Sequence, residues 1–183
     1  MSDADKAISL AYAYAVTGEN TYARKAIEYA LAWAETYLPN GNPINENKLT
    51  PLIAAYGIVK KMASSEEIRK IDYWLLKIGT ATLKHDNPNE KGNWKSKRIK
   101  IVGLIGAILE NDSFLEYSRK SVLNYIEDNF YSDSTTFDLR ERDALNYHCG
   151  GIEPVLSILL LLKDTHPHLY SLENSHGGSV KNQ

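Results

Sequence analysis

The chain has 183 residues, enough for one domain with a buried core, and its 21 Lys and Arg nearly balance 23 Asp and Glu. A net charge of −2 points to no nucleic-acid or membrane-surface partner, and Cys149 as the only cysteine excludes an internal disulfide. The longest apolar run, 152–162, is interrupted by Glu153, Pro154 and Ser157 and is too short to span a bilayer; the first residues carry no secretory-signal pattern.

The pattern predicts helices separated by turns, without convincing period-two alternation. The first helix covers 4–16 and stops at Gly18. Asn20 or Thr21 caps a second that reaches about Tyr37, before Pro39-Asn40-Gly41-Asn42-Pro43 breaks it. A third runs over about 49–62 with Pro51 in its first turn. Ser64 or Ser65 ahead of Glu66-Glu67 opens a fourth, to about Leu83. After a polar loop at 85–92, helices are expected over 94–109 and 112–130. A loop through Ser134-Thr135-Thr136 then precedes a last long helix over about 140–163. The segment from 166, rich in Ser, Gly, Asn and His, is expected to be a loose tail after a single helical domain of residues 1–165. Similar stretches at Arg24-Lys25 and Arg119-Lys120 suggest stacked antiparallel helix pairs, as in an α/α toroid or a helical solenoid.

Chemistry concentrates in a few segments. Pro39–Lys48 is dense in amides and stiffened by two prolines, which suits either a capping turn or a ligand loop. Gly92-Asn93-Trp94-Lys95-Ser96-Lys97-Arg98 sets three cations at a helix start. There they oppose the helix dipole and suit an anionic ligand, or else form a solvated face. The stretch 137–156 crowds Arg140, Arg142, Tyr147 and His148 together. On one helix Arg140 and Tyr147 share a face two turns apart, where a cation eases removal of the phenol proton. A pair of Arg140 with Asp143 and a packed Tyr147 is the alternative. Gly150-Gly151 inside a helical run implies close packing or a kink. His166, His168 and His176 lack zinc-site spacing, and no phosphate loop or metal-ligand cluster is present. Twelve tyrosines against three phenylalanines fit half-buried phenols or a carbohydrate cleft.

The order of these segments, Gly41-Asn42-Pro43-Ile44-Asn45, then Gly92-Asn93-Trp94, then Arg140 through Tyr147-His148 with Glu153-Pro154, resembles the alginate lyase family of polysaccharide lyases over roughly residues 8–178. The resemblance implies an all-α fold of antiparallel helix pairs forming an incomplete α/α toroid. It implies β-elimination on a uronic-acid polymer, with no cofactor and no metal. Tyr147 would be the base and Arg140 and Asn93 would hold the substrate carboxylate, so these three are the candidate catalytic residues. Trp94, Lys97, Arg142, His148, Asn45 and Lys48 are the candidate substrate-binding residues. The partner would be an acidic polysaccharide and the location periplasmic or extracellular, with self-association through exposed helix faces.

Where family members carry a histidine after the asparagine or three positions beyond the tryptophan, this chain has Trp94 and Lys97. The domain is also shorter than is typical of the family. A carbohydrate-binding module without turnover and a helical-repeat interaction protein are the rival expectations.

Overall fold

The computed structural model describes residues 1–85, 87, 90–142 and 145–182, in two compact units, Met1–Lys84 and His85–Gln183. Among the described residues all regular structure is helical, apart from isolated bridges pairing Phe130 with Thr136 and Glu173 with Ser179. The chain is all-α, as its periodicity predicts.

The first unit opens with α1 (Asp3–Thr17), held by a capping box between Ser2 and Asp5 and ended by Gly18 in the left-handed region. α2 (Asn20–Thr36), α3 (Pro43–Glu46), α4 (Thr50–Val59) and α5 (Ser65–Lys84) follow, with short 3-10 turns at Asn47–Leu49 and Lys60–Met62. Alanines 4, 7, 11, 23, 26 and 30 are buried on α1 and α2. These small side chains let the helix backbones approach one another, while Ile53, Tyr56, Trp74 and Ile78 supply the bulk of the core. The amide-rich segment 39–48 is an ordered turn organised by a carboxylate. Buried Glu46 accepts from the N–H groups of Asn40 and Gly41 at 2.9 and 3.1 Å. Gly41 is required there: its φ is +77°, and a Cβ would lie 2.3 Å from the Ala81 carbonyl oxygen. Asn42 caps α3 by accepting from the Ile44 N–H.

The second unit is built on α6 (Gly92–Leu109), α7 (Asp112–Asn129), α8 (Phe137–Arg142) and α9 (Leu145–Leu161). α6 is the central element, packed on both α7 and α9, and α8 packs on α9. Gly103 permits that closeness, since a Cβ there would fall 2.5 Å from Ile158 Cδ1 and 2.9 Å from Ser118 Oγ. Ile99, Val122, Tyr125, Ile126, Val155 and Ile158 fill the space between the helices. The sequence pattern places one helix over 140–163. The described helix α8 instead begins at Phe137, with Thr136 accepting from the Leu139 and Arg140 N–H groups, and residues 143 and 144 lie outside the described set.

The segment from 166 is packed, contrary to the loose tail its composition suggests. A 3-10 turn spans Pro167–Ser171, and Leu169 and Val180 are buried in the core of this unit. The polar residues do the fastening. Asn174 Nδ2 donates to the Ile126 and Phe130 carbonyls, and its Oδ1 accepts from the His176 and Gly178 N–H groups. Low hydropathy misleads here because the segment docks through backbone hydrogen bonds.

Two outcomes follow from these contacts. Glu67, held by Arg24 and the Ser64 N–H, has its carboxyl lowered from 4.5 to about 2. A group depressed on folding stabilises above its unfolded value and loses that stabilisation as pH falls. The α2 and α5 amides should therefore melt earlier, by NMR, as pH drops from about 4.5 towards 2, and Glu67→Gln should lower the neutral-pH midpoint and flatten that dependence. Gly178→Ala would set a Cβ 2.2 Å from the Tyr131 carbonyl oxygen, so chemical denaturation should show a loss of about 1–3 kcal/mol in the second unit.

Candidate functional site

α6 starts at Gly92 with φ +66°, a conformation that suits glycine, and its Asn93 is buried in the first turn. In the first turn of α8, Asp138 is fully buried, and Arg142 follows four residues later, at the end of that helix. Tyr147 lies in the first turn of α9 and is 38% exposed, so its ring reaches solvent. These three helices bring the chemistry together. Arg142 Nη1 donates to Asn93 Oδ1 at 3.2 Å and to Asp138 Oδ1 at 3.4 Å. Its guanidinium carbon stands 3.5 Å from the centroid of the Tyr147 ring, a cation on the aromatic face. The phenol ring thereby touches a cation that itself bonds a carboxamide.

Charge in the site is uneven. Burial pushes the Asp138 carboxyl above the usual aspartate value, against the pull of Arg142, the Asn93 N–H and Lys97. Burial also pushes the Lys97 ammonium below its usual value. Lys100 and Arg142 act in the same direction, while Asp138 and Glu153 oppose it. Lys97 thus stands within electrostatic reach of Asp138 and Arg142, and among the described residues it makes no ion pair. Its neighbours in the basic segment are committed elsewhere. Lys95 pairs with Asp128 at 3.2 Å, Lys100 pairs with Glu153 at 2.9 Å, and fully buried Arg98 pairs with Glu90 and donates to the His85 carbonyl.

The other candidates fall in different places. Arg140 does not join the Tyr147 cluster. Its Nη2 donates to Asp133 Oδ2 at 2.5 Å, its Nε donates to Thr135 Oγ1 at 2.7 Å, and it stacks 4.1 Å from the Tyr131 ring centroid. The physical reason is local: the preceding loop offers Asp133, held down to about 2 by Thr135 and Arg140, as a nearer partner than anything on α9. Asp143, the partner that the sequence suggests for Arg140, lies outside the described residues. His148 Nδ1 is 2.7 Å from the Thr136 hydroxyl, which ties α9 to the cap of α8. Trp94 is half-buried in the first turn of α6. Asn45 and Lys48 belong to the first unit, where both are exposed.

Sequence reasoning missed Asp138, because an aspartate at a loop-to-helix junction reads as an exposed cap. The signal was present in the glycines. A Cβ on Gly92 would sit 2.6 Å from Asp138 Oδ1, and one on Gly151 would sit 2.9 Å from Asp138 Oδ2. Gly150, by contrast, has open space beside it.

With Asn93 Oδ1 accepting from Arg142, the Nδ2 hydrogens of that amide remain as donors to an anion. An amide and two cations, Asn93, Arg142 and Lys97, thus stand near a phenol that reaches solvent, an arrangement chemically able to bind a carboxylate. Among the described residues no group of three or more His, Cys, Asp or Glu could hold a metal ion, and no helix is long and apolar enough to cross a membrane. A search of curated proteins returned no significant match. A family model described as Alginate lyase matches residues 1–182. By that match over nearly its whole length, and in keeping with its all-α architecture, the chain belongs to the alginate lyase family.

Proposed function

We propose that this protein is a polysaccharide lyase that cleaves a uronic-acid polymer, alginate or a related polyuronate, by β-elimination. The observation that carries the reading is the contact of Arg142 with both Asn93 and the face of Tyr147. In this reaction a base removes the proton at C5 of the uronate, next to its carboxylate, and the bond from C4 to the leaving oxygen breaks to give an unsaturated sugar. A second negative charge develops on the carboxylate as the proton leaves, so fixed cations and amide donors at that point lower the barrier. Arg142, Lys97 and Asn93 Nδ2 fill that role. Tyr147, as phenolate, takes the C5 proton and returns it to the departing O4. Arg140, committed to Asp133 and Tyr131, shapes the loop before α8 rather than receiving substrate. A polymer of this kind is met outside the cytoplasm, so the reading carries a periplasmic or extracellular location.

Lys97 in the family's histidine position favours a second reading, in which the site binds the polymer without cleaving it. Ultraviolet absorbance of the unsaturated uronate separates the two when the protein is presented with alginate, glucuronan and capsule polymers. The lyase reading expects a rise on one of them that falls about a thousandfold in Tyr147→Phe. Binding by calorimetry without any rise would establish the second reading, and neither binding nor turnover would overturn both. The two arginines discriminate further. Arg142→Ala should reduce kcat/KM about 100-fold, whereas Arg140→Ala, which removes a surface pair, should stay within about threefold. The reverse order would reassign the carboxylate receptor to Arg140.

A further inference from the structure

We infer that Asp138 is the positioning residue of this site: its buried carboxylate sets the Arg142 guanidinium and the Asn93 amide in the geometry that receives a substrate carboxylate. The inference rests on the functional reading above for what the arginine receives, and on the following geometry for how it is held.

Aspartate is rarely buried without a full set of partners, yet Asp138 is 0% exposed and its Oδ2 has no hydrogen-bond partner among the described residues. An aspartate kept only to cap a helix would have both oxygens satisfied or wet. Its engagements run instead towards the site. The carboxylate accepts from the Asn93 N–H at the start of α6, and Oδ1 accepts from Arg142 Nη1. At 3.4 Å the latter contact orients the guanidinium without saturating it, which leaves positive charge for an incoming anion.

The room for this group has been cleared from two sides. Gly92 and Gly151, on different helices, both lack the Cβ that would strike the carboxylate. The groups facing it are Lys97 and the Asn93 N–H from α6, the Tyr125 hydroxyl from α7, Arg142 from its own helix and the Gly151 backbone from α9. Without the carboxylate, the contacts that hold Arg142 among the described residues reduce to the Asn93 oxygen and the Tyr147 ring. The Asn93 backbone also loses its acceptor, and with it the fixed direction of the side-chain amide.

Two variants test the assignment. Asp138→Asn is isosteric, and Asp138→Ser is smaller and still able to accept from the Asn93 N–H. The primary readout needs no turnover. The Arg142 side-chain protons, lying on the Tyr147 ring, carry an upfield ring-current shift in NMR, identified by its loss in Tyr147→Leu. That shift is expected to collapse in whichever Asp138 variant keeps the wild-type melting behaviour, together with a fall of about 100-fold in kcat/KM. A shift retained in a folded variant overturns the inference. Failure of both variants to fold also overturns it, because the carboxylate would then serve the fold and not the arginine. If wild-type protein neither binds nor cleaves any uronate polymer, the functional reading fails while the Arg142 shift still decides the role of Asp138.

Discussion

The geometry of the candidate site depends on the burial of one carboxylate among the helices of the second unit. Asp138 needs a helix N-terminus to supply an N–H, a guanidinium to offset its charge and two backbone positions without side chains. α6, α8 and α9 supply these through Asn93, Arg142, Gly92 and Gly151. An anion at the N-terminus of α6 also resolves an apparent conflict in the sequence. Lys95, Lys97 and Arg98 sit where the helix dipole disfavours cations, and Asp138, Asp128 and Glu90 provide the compensating charge. The same burial that raises the Asp138 carboxyl lowers the Lys97 ammonium.

The basic residues around the site are sorted by what holds them. Lys95, Arg98, Lys100 and Arg140 are each committed to an acid of the fold. Arg142 is held by a long contact to Asp138 and by an amide oxygen. A guanidinium bound in this way keeps its planar fork oriented while most of its charge stays available, a balance that an ammonium could not reproduce with the same partners. In the proposed reaction that distinction decides which of two neighbouring arginines meets the substrate.

Much of the helical organisation was legible, because its signals are local. Gly18 adopts the left-handed conformation that ends α1, Pro51 sits in the first turn of α4 and Ser64 precedes the acids of α5. The gathering of Asn93, Arg142 and Tyr147 was partly legible from their segments. Which arginine faces the tyrosine was not. The seven-residue spacing from Arg140 assumes uninterrupted helical register, and it is silent about Asp133 and Thr135, which capture Arg140 from the preceding loop. The docking of residues 166–182 was hidden for a different reason. Composition measures side-chain transfer, whereas Asn174 fastens that segment through carbonyl and N–H groups of the main chain.

That fastening bears on how the chain is made. Within Met1–Lys84, α1 packs on α2 and α4, and α2 packs on α4 and α5, so these pairings can form once that length has left the ribosome. The second unit is closed by residues far along its own length. Asn174 reaches back to Ile126 and Phe130, Ser134 Oγ accepts from the Ser179 N–H, and Val180 belongs to the core that Ile99 begins. During synthesis α6, α7 and α9 must wait with one side of their shared core unclosed until Leu169 and Val180 emerge. Until then the half of the chain that carries the candidate site keeps apolar core surface uncovered and open to misassociation.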